Sequence, residues 1–438
     1  MTSANDLWLA RSRAAVWHPC TQMKQHETLP LVPLARADGP WLYDFDGRRY
    51  LDAVSSWWVN LFGHGQPAIR AAIGAQLAEL EHAMLAGFTH RPVIELSERL
   101  AAIAPGHLGH CFFGSDGASA VEIALKMSFH YWRNAGRPEK TGFASLQRGY
   151  HGETLGALGV TDIAVFRDAY APLMRHNTIV PSPDPRFAAP GATARDHALV
   201  AASALEAALA EHHASIAALI VEPLVQGAAG MAMYDPAYLQ RARELTTRYG
   251  VHLIADEIMT GFGRTGTMFA CEQAAIAPDF LCLSKGITGG YLPLSVVLAT
   301  DAVYAAFYDD DPARAFLHSH SYSGNALACR AALAVLDLFR DADVIARNRA
   351  WAADLTALAR PLAAHPKVRN FRHLGMIWAF EVESKRPDFA RWCFATALER
   401  ELLLRPIGNT VYWMPPYVLD AADAGLLAER TLEIVACA

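Results

Sequence analysis

The chain has 438 residues, of which 53% are hydrophobic and 19% are charged, and its formal net charge is −6. A chain of this length can bury a large core and is expected to form more than one domain. Because basic clusters and long apolar runs are both absent, we expect no nucleic-acid partner and no membrane contact. The first ten residues lack the features of a secretory signal, and the seven cysteines include no C-x-x-C pair. These features predict a cytoplasmic protein with reduced thiols.

The N-terminal part is predicted to begin with a short meander over residues 36–60. Gly39-Pro40 and Asp46-Gly47 are turn signals between aromatic and apolar runs that are typical of strands. A helix is predicted over Pro67–Ala83, because apolar residues recur there at helical spacing, at Ile69, Ile73, Leu77 and Leu80.

Between residues 92 and 330 apolar runs alternate with helical stretches such as Pro236–Tyr249. This alternation predicts an α/β fold with a mostly parallel sheet flanked by helices. The segment Pro181–Thr193 is rich in Pro and Ala and is predicted to be a loop without a packed core. The predicted strands are Cys111–Phe113, Phe143–Leu146, Ala217–Val221, Leu253–Ala255, Phe280–Leu283 and Ser295–Ala299.

The C-terminal part is predicted to form a small α+β domain, which the N-terminal meander joins. The domain boundaries expected from these patterns are 1–65, 66–335 and 336–438, with the large domain in the middle. The elements predicted near and in the C-terminal part are a helix at Ala326–Phe339, strands at Val368–Phe371 and Ile377–Val382, a helix at Phe389–Arg400 and a strand at Leu402–Arg405.

Two residues at strand ends carry most of the chemical information. Asp256 ends one buried apolar run, and Lys285 follows the next run 29 residues later. A carboxylate and a lysine placed in this way can face one ligand. Pyridoxal phosphate (PLP) needs this pair, because an Asp keeps its ring nitrogen protonated and a Lys forms a Schiff base with its aldehyde.

Upstream, a Gly-rich turn lies between a predicted strand and a helix that starts near Gly117 and Ala118. Backbone N–H groups at a helix start bind phosphate, although a simple capped helix explains the same pattern. Tyr150 and Glu222 also follow predicted strands. Tyr150 can lie on a cofactor ring or be a surface residue beside a turn, and Glu222 can position a ligand group or be a solvated loop acid.

Three further segments allow more than one interpretation. His318 and His320 could suggest a metal, but the neighbouring hydroxyls favour helix caps or a second phosphate contact, and we predict no metal site. Of the adjacent Trp57 and Trp58, one can be core and the other line a pocket, or both can be buried. Arg405 suits a carboxylate ligand, whereas a surface position is the default for arginine.

Together these segments resemble the class III (subgroup II) PLP-dependent aminotransferases of fold type I. The similarity spans nearly the whole chain, from Trp17-His18-Pro19 to Met414-Pro415-Pro416. Its most specific parts are the run Leu253–Glu257, the Gly-rich stretch Gly261–Gly266 and Ser284-Lys285-Gly286. Four segments are similar to the branch of the family that acts in biotin biosynthesis: Trp17-His18-Pro19, Ser55–Trp58, Val221–Ala228, and Arg405-Pro406-Ile407-Gly408 before Met414-Pro415-Pro416.

The resemblance implies a PLP site with catalytic and cofactor-binding residues. Lys285 would hold PLP and move the proton, Asp256 would pair with the ring nitrogen, and Tyr150 would contact the ring and the substrate. The residues implied to contact the phosphate are Gly117 and Ala118, together with His320 and Ser321 from the neighbouring subunit of a homodimer.

The resemblance also implies a set of substrate-binding residues, to which Tyr150 and Lys285 again belong. The further members of this set are Trp57, Trp58, Ser319, Arg405 and Cys20. Three positions depart from the family pattern: Cys20 stands where relatives have Tyr, Ala118 replaces a Ser, and Ser319-His320 replaces Gly-Pro.

The implied reaction uses the small molecules S-adenosylmethionine, as amino donor, and 8-amino-7-oxononanoate, as acceptor. Another class III activity is the nearest alternative, such as an ω-amine or β-alanine:pyruvate transaminase or an aminomutase. Arg405 and the two tryptophans argue against a small substrate. A non-catalytic PLP-fold regulator is a further alternative, against which the intact Lys285 and Asp256 speak.

Overall fold

The computed structural model describes residues 3–438, which separate into two compact units. The first unit comprises residues 3–67, Ala350–His373 and Ile377–Ala438. The second comprises Ala68–Arg349 and Leu374–Met376. The boundary between Arg349 and Ala350 therefore falls inside the helix Val344–Leu358, whereas the sequence predicts that the C-terminal domain begins at residue 336.

The strands and helices are numbered here in chain order. The strands are β1 Leu34–Asp38, β2 Trp41–Asp44, β3 Arg49–Asp52, β4 His110–Gly114, β5 Gly142–Leu146, β6 Thr178–Val180, β7 Ile216–Val221, β8 Val225–Gln226, β9 Ala232–Met233, β10 His252–Asp256, β11 Phe280–Leu283, β12 Ser295–Ala299, β13 Val368–Leu374, β14 Ile377–Val382, β15 Leu402–Leu403 and β16 Thr410–Trp413. The helices are α1 Ala4–Ala15, α2 Ser55–Trp58, α3 Pro67–Leu77, α4 Arg91–Ile103, α5 Gly117–Asn134, α6 Leu155–Val160, α7 Ala164–Arg167, α8 Ala194–His212, α9 Ala237–Tyr249, α10 Asp301–Ala305, α11 Ala326–Asp341, α12 Val344–Leu358, α13 Arg360–Ala363, α14 Phe389–Glu399 and α15 Ala421–Cys437.

The second unit is built on a seven-stranded sheet with the order β4-β12-β11-β10-β7-β5-β6. Strands β11, β10, β7, β5 and β6 run parallel, and β12 is antiparallel to both of its neighbours. Every residue of β7, β10, β11 and β12 is buried, which explains their continuous apolar sequences. The predicted α/β fold with a mostly parallel sheet is confirmed.

Helix α5 covers part of this sheet and brings its own start to the strand ends. Its buried residues include Val121 and Ile123, and they share one core cluster with Ile220, Ile254 and Phe280 from three neighbouring strands. Asp116 caps the helix by accepting a hydrogen bond from the Ser119 amide, which fixes where the first turn begins.

The first unit contains a four-stranded sheet, β1-β2-β3-β15, and a three-stranded sheet, β13-β14-β16. In the first sheet Leu402 pairs in parallel with Leu51, so the N-terminal meander and the C-terminal part share one sheet. In the second, the buried Trp378 and Trp413 are opposite each other in antiparallel strands.

Several elements differ from their predicted extents. Helix α3 ends at Leu77, whose residue surface is 60% exposed. Beyond it the chain continues in tighter turns, and the Gln76 side chain donates a hydrogen bond to the Leu80 carbonyl. Strand β15 ends at Leu403, before Arg405. The segment Pro181–Thr193 contains a 3₁₀ turn at Pro185–Phe187. The buried Asp184 holds this turn through ion pairs with Arg148 and Arg186.

Within residues 3–438, no helix combines the length and apolarity needed to cross a bilayer.

Candidate active site

The candidate site lies in the second unit, where β10 and β11 end at the same edge of the sheet. Asp256 is the last residue of β10 and pairs in register with Cys282 of β11, three residues before Lys285. Because carboxyl ends of neighbouring parallel strands form the usual ligand edge of an α/β sheet, both side chains are suitably placed for one ligand. Lys285 has a φ of +47°, a left-handed conformation that is unusual for a side-chain-bearing residue and typical of functional sites.

Asp256 is buried and held in one orientation. Its Oδ2 lies 2.7 Å from His151 Nδ1, and its Oδ1 accepts a hydrogen bond from the Ile258 amide at 3.2 Å. The His151 ring is fully enclosed. The imidazole therefore contacts the carboxylate from one side and limits its rotation, as an orienting histidine does in many active sites.

Glu222 follows β7, the strand beside β10, and is also buried. Its two oxygens accept hydrogen bonds from the Tyr150 and Gly227 amides, both at 2.9 Å. Burial raises the pKa of Glu222 to about 7, and the charge of Asp256 adds to this effect, whereas His151 and the two amides oppose it. The side chain can therefore change its charge near neutral pH.

Lys285 is the basic residue of this cluster, and it is only partly buried. Burial lowers its pKa below the usual lysine range, while the carboxylates of Asp256 and Glu222 act in the opposite direction. A lowered pKa increases the fraction of neutral amine, which is the nucleophilic form.

The start of α5 lies against the segments that carry Asp256 and Tyr150. A Cβ added to Gly117 would lie 3.0 Å from Ile258 Cγ2. Gly152 has a φ of +123°, and a Cβ there would lie 2.6 Å from the Ala118 Cβ. These close approaches place the start of α5 beside the edge where β10 ends at Asp256 and where Lys285 follows the end of β11.

This arrangement fits PLP on the chemistry of its groups. The amides of the first turn of α5 and the positive end of its dipole suit a phosphate. The oriented carboxylate of Asp256 suits a protonated ring nitrogen, and the desolvated amine of Lys285 suits an aldehyde. The residues present are therefore sufficient to hold this cofactor.

The predicted phosphate contacts after β12 form a second group near α5. His320 Nδ1 lies 2.9 Å from Ser115 Oγ, just before the helix, within one chain. Ser319 and Ser321 are exposed. His318 Nδ1 lies 2.8 Å from Lys126 Nζ of α5, and the centroid of its ring lies 5.3 Å from that of His320.

Tyr150 is half-buried, and its hydroxyl donates a hydrogen bond to Glu153 at 2.9 Å. The centroid of its ring lies 5.4 Å from the centroid of the Phe166 ring. Because its amide is bonded to Glu222, the segment that carries the ring is tied to the buried carboxylate.

The other predicted site residues belong to the first unit. Trp58 is 7% exposed and donates to the Tyr412 hydroxyl at 3.1 Å, whereas Trp57 is 49% exposed. The exposed Arg405 lies with its Cζ 5.5 Å from the Trp57 ring centroid and 5.4 Å from that of Phe394. Cys20 lies in an exposed turn with a φ of +49°.

His151 is the residue at this site to which sequence reasoning assigned no role. Its position directly after Tyr150, in the segment that follows β5, was the available signal, because strands β5, β7 and β10 are neighbours in the sheet. Phe394, beside Arg405, had no signal, since it comes from the middle of the amphipathic helix α14.

Comparisons with known proteins identify the family of this chain. The family model described as aminotransferase class-III matches residues 22–435. The chain is 46% identical over 429 residues to adenosylmethionine-8-amino-7-oxononanoate aminotransferase of Helicobacter pylori, covering 96% of this chain and 95% of that one. Among solved structures, the enzyme of the same name from Methanocaldococcus jannaschii superposes with a TM-score of 0.92 at 32% identity, with 99% of each chain covered.

A second solved structure is an amine transaminase from an uncultivated Pseudomonas species in its PLP-bound form. It superposes with a TM-score of 0.89 at 34% identity, and covers 96% of this chain and 98% of that one. Both the family model and the relatives span nearly the whole chain, including every strand of the central sheet. This chain belongs to the class-III aminotransferases, which are PLP-dependent enzymes.

Proposed function

We propose that this enzyme transfers the amino group of S-adenosylmethionine to 8-amino-7-oxononanoate, which yields 7,8-diaminononanoate for biotin biosynthesis. The names of the relatives support this choice of substrates. The observation that carries the chemistry is the shared strand edge, where the buried Asp256 ends β10 and Lys285 follows the end of the neighbouring strand β11. PLP, when bound, supplies the electron sink that lets a substrate carbon lose its proton.

Lys285 is proposed as the residue that binds the cofactor and then moves the proton. Its lowered pKa gives it the neutral amine that both tasks need, since a general base works best when its pKa is near the operating pH. Asp256, oriented by His151, would hold the proton on the ring nitrogen. Tyr150, Gly117 and Ala118 would contact the ring and the phosphate.

Arg405 is proposed to bind the carboxylate of the acceptor. A guanidinium can form two parallel hydrogen bonds with a carboxylate, and the aromatic rings of Trp57 and Phe394 lie close enough to restrict its orientation. The indole faces would also suit the alkyl chain of the acceptor and the sulfonium cation of the donor. Trp58, Ser319 and Cys20 complete the proposed substrate contacts.

A single-turnover reaction tests the choice of donor. Holoenzyme is mixed with S-adenosylmethionine, with lysine or with a simple ω-amine, and the visible absorption of the bound cofactor is followed. Rapid loss of absorption with S-adenosylmethionine is the expected result. If only the ω-amine causes the loss, the enzyme is an amine transaminase, like the Pseudomonas relative, and the proposal is wrong.

We also propose a cytoplasmic homodimer in which His320 and Ser321 reach the phosphate in the neighbouring subunit. A mixed dimer of one Lys285→Ala chain and one Ser321→Ala chain tests this sharing. One of its two sites would then combine an intact lysine with an intact serine, so half of the wild-type activity is expected with wild-type PLP affinity. If sites are not shared, every site with an intact lysine carries the Ser321 defect.

A further inference from the structure

The segment Ser55–Trp58 is a single left-handed helical turn. Its four residues have φ values of +51°, +47°, +70° and +74°, and none of them is glycine. In this conformation the Cβ atom of an L-residue lies too close to the following carbonyl oxygen, and runs of such residues are therefore rare. The turn must be held by its surroundings, because its own backbone opposes it.

Several hydrogen bonds hold the turn. Within it, the amides of Trp58 and Val59 donate to the carbonyls four residues earlier, at 2.9 and 3.0 Å. From outside, the Met414 carbonyl accepts from the Ser55 hydroxyl at 2.7 Å, and the Tyr412 hydroxyl accepts from the Trp58 indole. Both ends of the turn are thus tied to β16 and the residue after it.

The middle of the turn depends on one buried carboxylate, that of Asp52. Its Oδ2 accepts from the Ser56 hydroxyl at 2.7 Å and lies 3.5 Å from His64 Nε2. Its Oδ1 is buried and has no hydrogen-bond partner among residues 3–438. Because Asp52 ends β3 and pairs with Leu403 of β15, the sheet fixes its position.

The turn has a consequence for the exposed side chain next to Ser56. In the left-handed conformation Trp58 is buried, and Trp57 is exposed beside Arg405. A right-handed or extended segment would direct these consecutive side chains differently, since side-chain direction follows backbone conformation. The strained turn therefore determines that Trp57 accompanies the guanidinium.

We propose that Asp52 and Ser56 are positioning residues that set the preference of the enzyme for a carboxylate-bearing acceptor. The inference rests on the proposed function, in which Arg405 binds that carboxylate. Asp52 holds Ser56, Ser56 keeps the turn left-handed, and the turn places Trp57 against Arg405.

The substitutions Ser56→Ala and Ser56→Gly separate the hydroxyl from the backbone conformation. Both remove the hydrogen bond to Asp52. Alanine retains the penalty for positive φ, whereas glycine adopts this conformation freely and so keeps more of the turn. The acid preference is the ratio of kcat/KM for 8-amino-7-oxononanoate to kcat/KM for its methyl ester. It should fall about tenfold in Ser56→Ala, as for the loss of a hydrogen bond to a charged group, and less in Ser56→Gly.

Ser203 provides the matched control, because it is exposed in the right-handed helix α8 and bonds the Leu199 carbonyl. There glycine should lower the melting temperature more than alanine, while at Ser56 the order should be reversed. Asp52→Asn keeps an oxygen for the Ser56 hydroxyl and should retain the acid preference, whereas Asp52→Ala should lose it as Ser56→Ala does.

An unchanged acid preference in Ser56→Ala, or a larger loss in Ser56→Gly than in Ser56→Ala, would overturn the positioning role while the proposed function stands. A wild-type enzyme that accepts acid and ester equally well would contradict carboxylate binding by Arg405, the part of the proposed function on which the positioning role depends. The two failures are distinguished by the wild-type ratio alone.

Discussion

Two lysines of the second unit both have a pKa that burial lowers, but their exposure and their neighbouring groups differ. Burial lowers the pKa of Lys285, and it lowers the pKa of Lys140 to about 8. Lys140, however, is 1% exposed, and its Nζ donates to the carbonyls of His213 and Ile216 at 2.6 and 2.9 Å. Its ammonium also lies 4.6 Å from the Trp132 ring centroid.

The difference lies in what surrounds each amine. Carbonyl oxygens accept hydrogen bonds from the Lys140 amine, and an aromatic ring face lies beside it. These contacts join the segment just before β5 to α5 and β7. Lys285 has carboxylates near it, a partly open surface and a strand end that faces the ligand edge of the sheet. A lowered pKa therefore identifies a buried lysine, and only the geometry around it identifies a reactive one.

The largest effect is expected from Lys285→Ala. The variant loses both the amine that binds the cofactor and the group that moves the proton, so the turnover rate should fall at least ~10⁴-fold. Its free energy of unfolding should change little, because the amine that is removed is desolvated in the folded enzyme. Steady-state kinetics and urea unfolding measure the two quantities.

Turnover at the normal rate by Lys285→Ala would refute its catalytic assignment. Loss of activity in Lys140→Met, with an altered cofactor spectrum, would show that the comparison between the two lysines is wrong.

A smaller loss is expected from Asp256→Asn. An amide cannot hold the proton on the ring nitrogen, and the turnover rate should fall ~10²–10³-fold. Because the carboxylate raises the pKa of Lys285, its removal should also move the Lys285 limb of the pH–rate profile to lower pH. Asp279→Asn is the matched control, since Asp279 is an acid at the neighbouring strand that pairs with Arg243 at 2.8 Å. A pH profile that changes equally in both variants would contradict the role of Asp256.

Glu222→Gln tests whether the buried acid titrates near neutrality. The folded-state pKa of Glu222 is raised from 4.5 to about 7, so between these values the folded enzyme binds more protons than the unfolded chain. Wild-type stability should therefore fall, relative to the variant, as the pH rises from about 4.5 to 7. The relative loss should be about 3 kcal/mol. Urea unfolding of both proteins at several pH values measures it, and parallel pH curves would contradict the raised pKa.

The sequence was sufficient for the sheet and its ligand edge, because buried parallel strands give continuous apolar runs with polar residues where they end. Asp256 and Lys285 were found in this way, as were Tyr150 and Glu222. His151 was not assigned, since its contact with Asp256 depends on the order of strands in the sheet, which spacing along the chain does not reveal.

The conformation of Ser55–Trp58 could not be predicted for a different reason. Left-handed turns are signalled by glycine or asparagine, and this one contains neither. It is held by Asp52, Tyr412 and Met414, of which the last two lie more than 350 residues away in the chain. Local sequence preference opposes the observed structure here, and tertiary contacts decide it.

The smallest effect is expected from Lys140→Met. Methionine fills a similar volume but leaves two buried carbonyls without their donor, which costs about 2 kcal/mol of unfolding free energy at neutral pH, while kcat stays unchanged. The pH dependence distinguishes this from simple packing loss. Because the folded-state pKa of Lys140 is lowered to about 8, the unfolded chain binds more protons between about 8 and 10.5. Wild-type stability should therefore rise relative to the variant over this range, since neutral Lys140 keeps its donors without a buried charge. A constant difference across that range would mean that folding does not lower the pKa of Lys140, and its resemblance to Lys285 would then be without electrostatic meaning.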